Sequence, residues 1–389
     1  MASRCAVIGV GQTQHTSCRA DVSIGGLVRE AVDRALESAQ LTLADIDAIV
    51  IGKAPDMLEG VVMPELWLAD ALAAHGKPVF RVHTAGSVGG STAIVAAQHV
   101  MAGLHKRVLT IGFEKQSDGN AMWALSVPIP FGMPVHAGAG GYFSPIVRSY
   151  INRYSVPGYI GAMVAVKDRR NALKNPYAHL HEEGLTLEKA MDSPMLWDPI
   201  RFVETCPSSD GAMALVLADE DTADRHQAST GQQVAWIHAT AMRSEPTMFA
   251  GRDQVSPVAG EMCAADLWRK GGITNPADEI DAVEMYVPFS WFEPMWLENL
   301  GFAPKGQGWR LTEDGVTDID GSLPVNPSGG VLSTNPIGAS GMIRFGEAAM
   351  QVMGLAGEHQ VPDVRKAVGH AYGGGSQFFA MWLVGKDKP

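Results

Sequence analysis

Four short runs of this chain hold the residues able to do chemistry. The first is Val82-His83-Thr84-Ala85-Gly86-Ser87-Val88-Gly89-Gly90-Ser91-Thr92-Ala93, which reads as the end of a buried strand, a turn of small residues and the approach to an apolar helix over Ala93 to Met101. This puts Ser87 where its side chain meets the N–H groups of a helix terminus, the geometry of a nucleophile elbow. A serine there becomes nucleophilic only beside a general base, for which His370 and His83 are the candidates, whereas a cysteine would form a thiolate readily once its pKa is lowered. The second run, Tyr286-Val287-Pro288-Phe289-Ser290, closes a strand. Strand ends suit catalytic side chains because the sheet holds the residue while the loop exposes it. Tyr286 is therefore either a proton-transfer group or a buried tyrosine with a satisfied hydroxyl. In the third run, Asn326-Pro327-Ser328-Gly329-Gly330 leads into Ser333-Thr334-Asn335-Pro336-Ile337-Gly338-Ala339-Ser340-Gly341. Asn335 cannot act as a base, but its amide N–H can donate to a developing oxyanion. Gly338 and Gly341 either let backbone amides approach a ligand or start the next helix. The fourth, Gly369-His370-Ala371-Tyr372-Gly373-Gly374-Gly375-Ser376, combines a histidine and a phenol with glycines that form either an anion nest or a chain reversal between strands.

The elements that must position these runs recur in order. Strand signals over Arg4 to Val10, an amphipathic helix over Ile24 to Ala39 and an acidic strand over Asp45 to Ile51 are followed, after the elbow, by a strand over Arg107 to Phe113. A strand over Val234 to Ala241, a helix over Ala264 to Lys270 and a second acidic strand over Glu279 to Met285 repeat the pattern, and the helix Met342 to Met353 and the strands Ala367 to Tyr372 and Phe378 to Val384 complete it. The spacing predicts a duplicated α/β unit whose two sheets share a central helix layer. Met122 to Asp198 is less regular, with Pro128, Pro130 and Pro134 ahead of Gly138, Gly140 and Gly141, and reads as a covering loop over a pocket. The boundaries follow: residues 1–121 as the first half, 122–205 as an inserted covering domain, 206–228 as the return to the first half through the strand Ala212 to Ala218, and 229–389 as the second half. Trp291, Phe292 and Trp296 either line an apolar cavity or belong to the core.

Composition bounds the rest. A chain of 389 residues, 46% hydrophobic, buries a large core, and a formal charge of -12 with a pI near 5.4 weighs against a nucleic-acid surface. The four cysteines, Cys5, Cys18, Cys206 and Cys263, have neither zinc-site nor disulfide-framework spacing, so no metal site is expected. No apolar run is long enough to cross a membrane and no leader pattern precedes the first strand, which gives a cytoplasmic expectation.

The four runs, in this order, resemble the active-site loops of the thiolase superfamily, in particular the sterol-carrier-type thiolases and the actinobacterial lipid-transfer-protein branch of steroid side-chain aldolases. The resemblance covers essentially the whole chain and implies the thiolase fold, α/β with duplicated βαβαβαββ halves in a five-layered αβαβα arrangement. Asp210-Gly211-Ala212 resembles a turn common in thiolases. Ser87 aligns with the cysteine that carries the acyl group, Tyr286 with the histidine of a His-Asp-Cys-Phe motif, Asn335 with the histidine of a GHPxGxSG motif, and His370 with the histidine of the carboxy-terminal His-x-x-Gly loop. The aldolase relatives are similar in having a tyrosine at the strand end. The resemblance therefore implies a retro-aldol lyase acting on a β-hydroxyacyl-CoA, a steroid-derived one by kinship, with Tyr286 as base, Asn335 and loop amides as oxyanion donors, His370 or Tyr372 as proton relay, and His83, Gly338, Gly341, Gly373 and Gly374 near the CoA ester. CoA is part of the substrate and no separate cofactor is called for. A homodimer and a small OB-fold, zinc-ribbon partner or a thiolase-like paralogue are implied as partners, with no nucleic acid and no membrane insertion. An acyltransferase or condensing enzyme using Ser87, and a non-catalytic sterol- or acyl-CoA-binding subunit, stand as alternatives.

Overall fold

The computed structural model describes residues 3–54, 58, 60–120, 138–246 and 251–389. The part of the expected covering loop over residues 122–137, with its three prolines, lies outside the described residues.

Nine strands form one mixed sheet: β1 (Cys5–Gln12), β2 (Ala48–Lys53), β3 (Val79–Val82), β4 (Arg107–Lys115), β7 (Asp210–Asp219), β8 (Ala235–Ser244), β9 (Ala282–Glu284), β10 (Lys366–Gly373) and β11 (Phe378–Gly385), while β5 (Met195–Trp197) and β6 (Ile200–Arg201) make a separate hairpin. The order β3-β2-β4-β7-β1-β8-β11-β10-β9 is the same succession read outward from its middle in both directions. The edge strand β3 even has a counterpart, a parallel bridge from Val283 to Val325 beyond β9. The duplication is thus present in the topology. The expected pair of separate sheets is corrected in one respect: Ala6 pairs with Trp236 and Val7 with Ala235, so the first strands of the two halves join both sheets edge to edge.

The acidic repeat is shorter as a strand than its sequence suggests, and the cause is side-chain hydrogen bonding. Asp45 accepts from the Thr42 N–H at 2.9 Å and Glu279 from those of Thr274 and Asn275 at 2.7 Å, so each closes a helical turn before its strand. Asp47 then accepts from the Lys106 and Arg107 N–H groups, and Asp281 in the same way from Arg365 and Lys366. Each carboxylate sets the start of the neighbouring strand, which explains why the two halves repeat an acidic pair there.

Two helices fill the middle: Val88–Met101, which follows the elbow, and Ile337–Met353, which follows Asn335. The second is buried at every position but its first. They cross at backbone contact: a Cβ on Gly89 would stand 2.4 Å from the Met342 nitrogen, and one on Gly341 would stand 2.8 Å from the Gly90 nitrogen. The Gly-Gly-Ser start of the first helix therefore belongs to the helix, because this crossing requires residues without a side chain. Ile24–Ala39 packs an apolar face of Leu27, Val28, Ala31, Val32, Ala35 and Leu36 on the first half, and Val258–Gly271 covers the second. Five layers result, helix, sheet, paired helices, sheet, helix. From the segment between the halves, the helices Gly138–Tyr154 and Ile160–Ala172 pack over the carboxyl end of the fold, where the four runs meet. No helix among the described residues is long and apolar enough to cross a membrane.

Candidate active site

Ser87 stands at the start of its helix, buried, with Ala85 just before it in the left-handed region at φ 51°. A non-glycine residue there is strained, as at a nucleophile elbow. The Ser87 hydroxyl, however, does not face a base. Its Oγ lies 2.7 Å from the Thr84 carbonyl oxygen, to which it donates, and 3.0 Å from Thr84 Oγ1, which is in turn 2.6 Å from Ser91 Oγ. His83 is exposed on the outer side of the elbow.

The glycine loop closes on the elbow from the other half. A Cβ on Gly373 would lie 2.4 Å from the Gly86 nitrogen and 2.5 Å from that of Ser87, so only glycine lets the two backbones meet. Gly374 and Gly375 follow with φ 61° and 62° and reverse the chain between β10 and β11. Gly338 and Gly341, expected near the CoA ester, serve the framework: a Cβ on Gly338 would strike the Phe113 carbonyl at 2.3 Å and Glu114 Oε2 at 2.7 Å, and Gly341 meets Gly90.

Tyr286 leaves the end of β9 into the buried space between these loops. Its backbone N–H donates to His370 Nδ1 at 3.3 Å and its carbonyl accepts from Trp296 Nε1 at 3.1 Å, while Asn326, at φ 53°, fixes the preceding residue by accepting from the Met285 N–H at 2.7 Å. Burial brings the His370 pKa down to about 3, so the ring is neutral, and with Nδ1 accepting, its proton sits on Nε2. His370 therefore holds the main chain of Tyr286, and its ring supplies no positive charge to lower the phenol. Tyr372, two residues on along β10, stacks beside His370 and sets its ring edge to face against Tyr286, centroids 5.4 Å apart at 89°. Both phenols are held well above the ordinary tyrosine range, first by burial. The Ser340 hydroxyl and the charge of Arg344 act the other way on Tyr286 and do not prevail. Among the described residues Tyr372 Oη and His370 Nε2 are buried with no hydrogen-bond partner. Unpaired buried polar groups are costly and are found where a ligand completes the set.

Asn335 is fixed on every side. Its N–H donates to Ser209 Oγ at 3.1 Å, its carbonyl accepts from Gln116 Nε2 at 2.7 Å, its Oδ1 accepts from Ser340 Oγ at 2.7 Å, and its Nδ2 donates to Cys206 Sγ at 3.1 Å. One amide hydrogen remains for an oxyanion. Ser340 and Cys206 therefore hold the Asn335 amide at its two ends. Sequence reasoning singled out neither. Ser340, Arg344, Glu347 and Gln351 lie at i, i+4, i+7 and i+11 on a buried helix, a polar stripe readable from spacing alone. Cys206 gave no such signal. Glu284, two residues before Tyr286, pairs with Arg344, and both meet Ser328, so the third run supports the strand end from below.

Trp291, Phe292 and Trp296 are fully buried. Trp296 packs on Tyr372 with centroids 4.9 Å apart, and Phe143 of the covering segment reaches the same ring at 6.3 Å. They form the apolar floor of the site as part of the core. Asp210 of the Asp-Gly-Ala run begins β7 and ties Ser117 and Arg19 together through its carboxylate.

Residues 247–385 match the family described as Thiolase C-terminal domain-like. Over 385 residues the chain is 31% identical to an acetyl-CoA acetyltransferase of Methanothermobacter thermautotrophicus, with 95% of this chain and 96% of that protein covered. The chain belongs to the thiolase superfamily. Its place is in the sterol-carrier-protein branch: human sterol carrier protein 2 is 27% identical across 98% of this chain and 72% of its own length. A solved structure of that branch, described as an Ltp2-ChsH2(DUF35) aldolase, superposes with a TM-score of 0.82 at 25% identity, covering 100% of this chain and 99% of that one. At the site of this chain a serine, a tyrosine and an asparagine occupy the elbow, the strand end and the start of the second central helix.

Proposed function

We propose that this protein is a carbon–carbon lyase of the thiolase superfamily that cleaves a β-hydroxyacyl-CoA by retro-aldol chemistry, with CoA entering as part of the substrate and no separate cofactor. One observation carries the reading: the Ser87 hydroxyl is spent on the carbonyl of Thr84, whereas the Tyr286 phenol stands with Tyr372 in the buried space beside His370. Acyl transfer through Ser87 needs a base on that hydroxyl, and retro-aldol cleavage does not. In the reaction the Cα–Cβ bond breaks, its electron pair forms the thioester enolate, the remaining Asn335 N–H and loop amides stabilise the enolate oxygen, and the β-hydroxyl proton passes to Tyr286. Because the phenol is protonated at neutral pH, its own proton leaves as the new one arrives. Tyr372 faces the same space with an unpartnered hydroxyl, and His370 positions Tyr286.

A steroid-derived acyl group is supported by the likeness to sterol carrier protein 2 and by the apolar floor of the site. A DUF35 partner is supported by the description of the aldolase that this chain resembles. A homodimer is supported by the edge strand β3, where Phe80 is exposed beside Val62, Met63, Leu66 and Trp67. The free cysteines suit a reducing, cytoplasmic setting. The likeness to an acetyltransferase favours acyl transfer as a second reading.

The test is incubation with a tertiary β-hydroxyacyl-CoA bearing a steroid ring, with and without a DUF35 protein, following ketone and short acyl-CoA by mass spectrometry and the protein by intact mass. Ketone release without an acylated protein is the expected result. An acyl adduct on Ser87 without ketone would replace the proposal by acyl transfer, and tight binding without turnover would replace it by a binding role.

A further inference from the structure

Retro-aldol cleavage leaves two protons to account for: one that Tyr286 must release as it receives the β-hydroxyl proton, and one that must reach the α-carbon. A thiol is tied to the turn that Tyr286 begins. The Cys206 N–H donates to the Pro288 carbonyl at 2.9 Å, and Thr205 and Phe289 form a bridge, so the backbone of Cys206 is tied to the turn that Tyr286 begins. Its Sγ receives the Asn335 amide at 3.1 Å. The electrostatic influence of Cys206 reaches both Tyr286 and Tyr372. Unlike the two phenols, Cys206 is only partly buried. In the space that Tyr286 enters, Tyr372 Oη and His370 Nε2 have no hydrogen-bond partner among the described residues.

Resting on the retro-aldol reading, we infer that Cys206 is a catalytic residue that delivers the proton to the α-carbon of the thioester enolate and recovers it from Tyr286. The step balances. The Cα–Cβ pair becomes the enolate, the S–H bond breaks as a Cα–H bond forms, the Tyr286 proton moves to sulfur, and the β-hydroxyl proton moves to the Tyr286 oxygen as the ketone forms. No net proton enters or leaves and no oxidant is needed. Burial, the first influence, pushes the Cys206 thiol up to about 12, so the group is present as S–H before the reaction. The Asn335 N–H and the positive field of Arg169 then favour the transient thiolate. The same asparagine thus serves two anions, the enolate oxygen and the sulfur.

The inference predicts an activity of the Cys206 thiolate that does not involve Tyr286: exchange of the α-protons of a product-like acyl-CoA with solvent. Propionyl-CoA incubated with the protein and its DUF35 partner in D2O should gain deuterium at the α-carbon, faster as pH rises, since only Cys206 that has lost its proton to solvent can take an α-proton. Cys206→Ala should lower this exchange and ketone release together by at least about 100-fold, the lower range for a positioned acid–base group. Cys206→Ser, close in size and used to separate loss of the thiol from loss of folding, should lower both while unfolding at the temperature of the parent. Tyr286→Phe should lose ketone release and keep exchange. Ketone release at parental rate in both Cys206 variants would overturn the role of Cys206 and leave the retro-aldol reading standing. Absence of ketone release from the parent protein with its partner would instead overturn the reading on which the inference rests.

Discussion

Replacing Ser340 by alanine removes one hydroxyl and breaks two contacts at once. Ser340 Oγ lies 2.7 Å from Asn335 Oδ1 and 3.0 Å from the Pro336 carbonyl. In Ser340→Ala the buried Asn335 Oδ1 loses its donor, at a cost of roughly 1–3 kcal/mol in stability. The catalytic effect follows from orientation. Without a donor on Oδ1 the amide is no longer held with Nδ2 towards Cys206, so the enolate loses a preorganised donor, for which losses of about 10²–10³ in kcat are typical. A fall in kcat of about 10- to 100-fold with little change in KM is expected, since Ser340 acts through the Asn335 amide. The assay is steady-state ketone release with thermal unfolding in parallel, in a cycle with Asn335→Ala. Because both substitutions break the same hydrogen bond, the double variant should be little worse than Asn335→Ala alone, with a coupling of at least about 1 kcal/mol. Effects that add to within about 0.5 kcal/mol would refute the hold of Ser340 on Asn335.

Two further predictions concern the framework. Gly341→Ala places a Cβ 2.8 Å from the Gly90 nitrogen and 2.9 Å from Ala371 Cβ, in a helix crossing with no room to yield, so it should destabilise the fold by about 1–3 kcal/mol without raising KM in the fraction that folds; a raised KM at unchanged stability would return Gly341 to the substrate site. At the foot of the same helix Glu347 bonds His359 at 2.9 Å. Burial alone would lower the His359 pKa and raise that of Glu347, but each partner outweighs burial for the other, so His359 is raised and Glu347 lowered. A raised histidine contributes fully below its unfolded value near 6.5 and loses its contribution as pH rises through the folded value, while the lowered carboxylate contributes above its unfolded value near 4.5. The stability gap between the parent and His359→Gln, measured by denaturant unfolding, should therefore be widest between these values and narrow as pH rises past the raised histidine value; a gap that is flat with pH would refute the pairing.

Much of the framework was legible because it depends on local periodicity. The helix Ile24–Ala39 carries an apolar stripe that its spacing announces, and the strands β10 and β11 are apolar runs divided by glycines. What escaped depends on partners distant in sequence. The Gly-Gly-Ser run after Ser87 looks like turn and is helix, because Gly341, over two hundred residues away, needs the space. Asp45 and Glu279 look like strand and are caps, because their carboxylates find backbone N–H groups first. In the site, Tyr286, Asn335, Tyr372 and His370 were legible from position within their runs, and the structure gathers them. The use of each was not: His370 was expected as a relay and grips a main chain, Gly338 was expected at the ligand and lies against Phe113, and Cys206 entered only as one of four scattered cysteines.

The most direct measurement is ketone release from a tertiary β-hydroxyacyl-CoA by the parent protein, Tyr286→Phe and Ser87→Ala, each with a DUF35 partner present. Release that is lost in Tyr286→Phe and kept in Ser87→Ala is the predicted result, since the phenol handles the proton and the serine bonds only within its own turn. Release that survives Tyr286→Phe and disappears in Ser87→Ala would contradict the account and return the chemistry to the elbow.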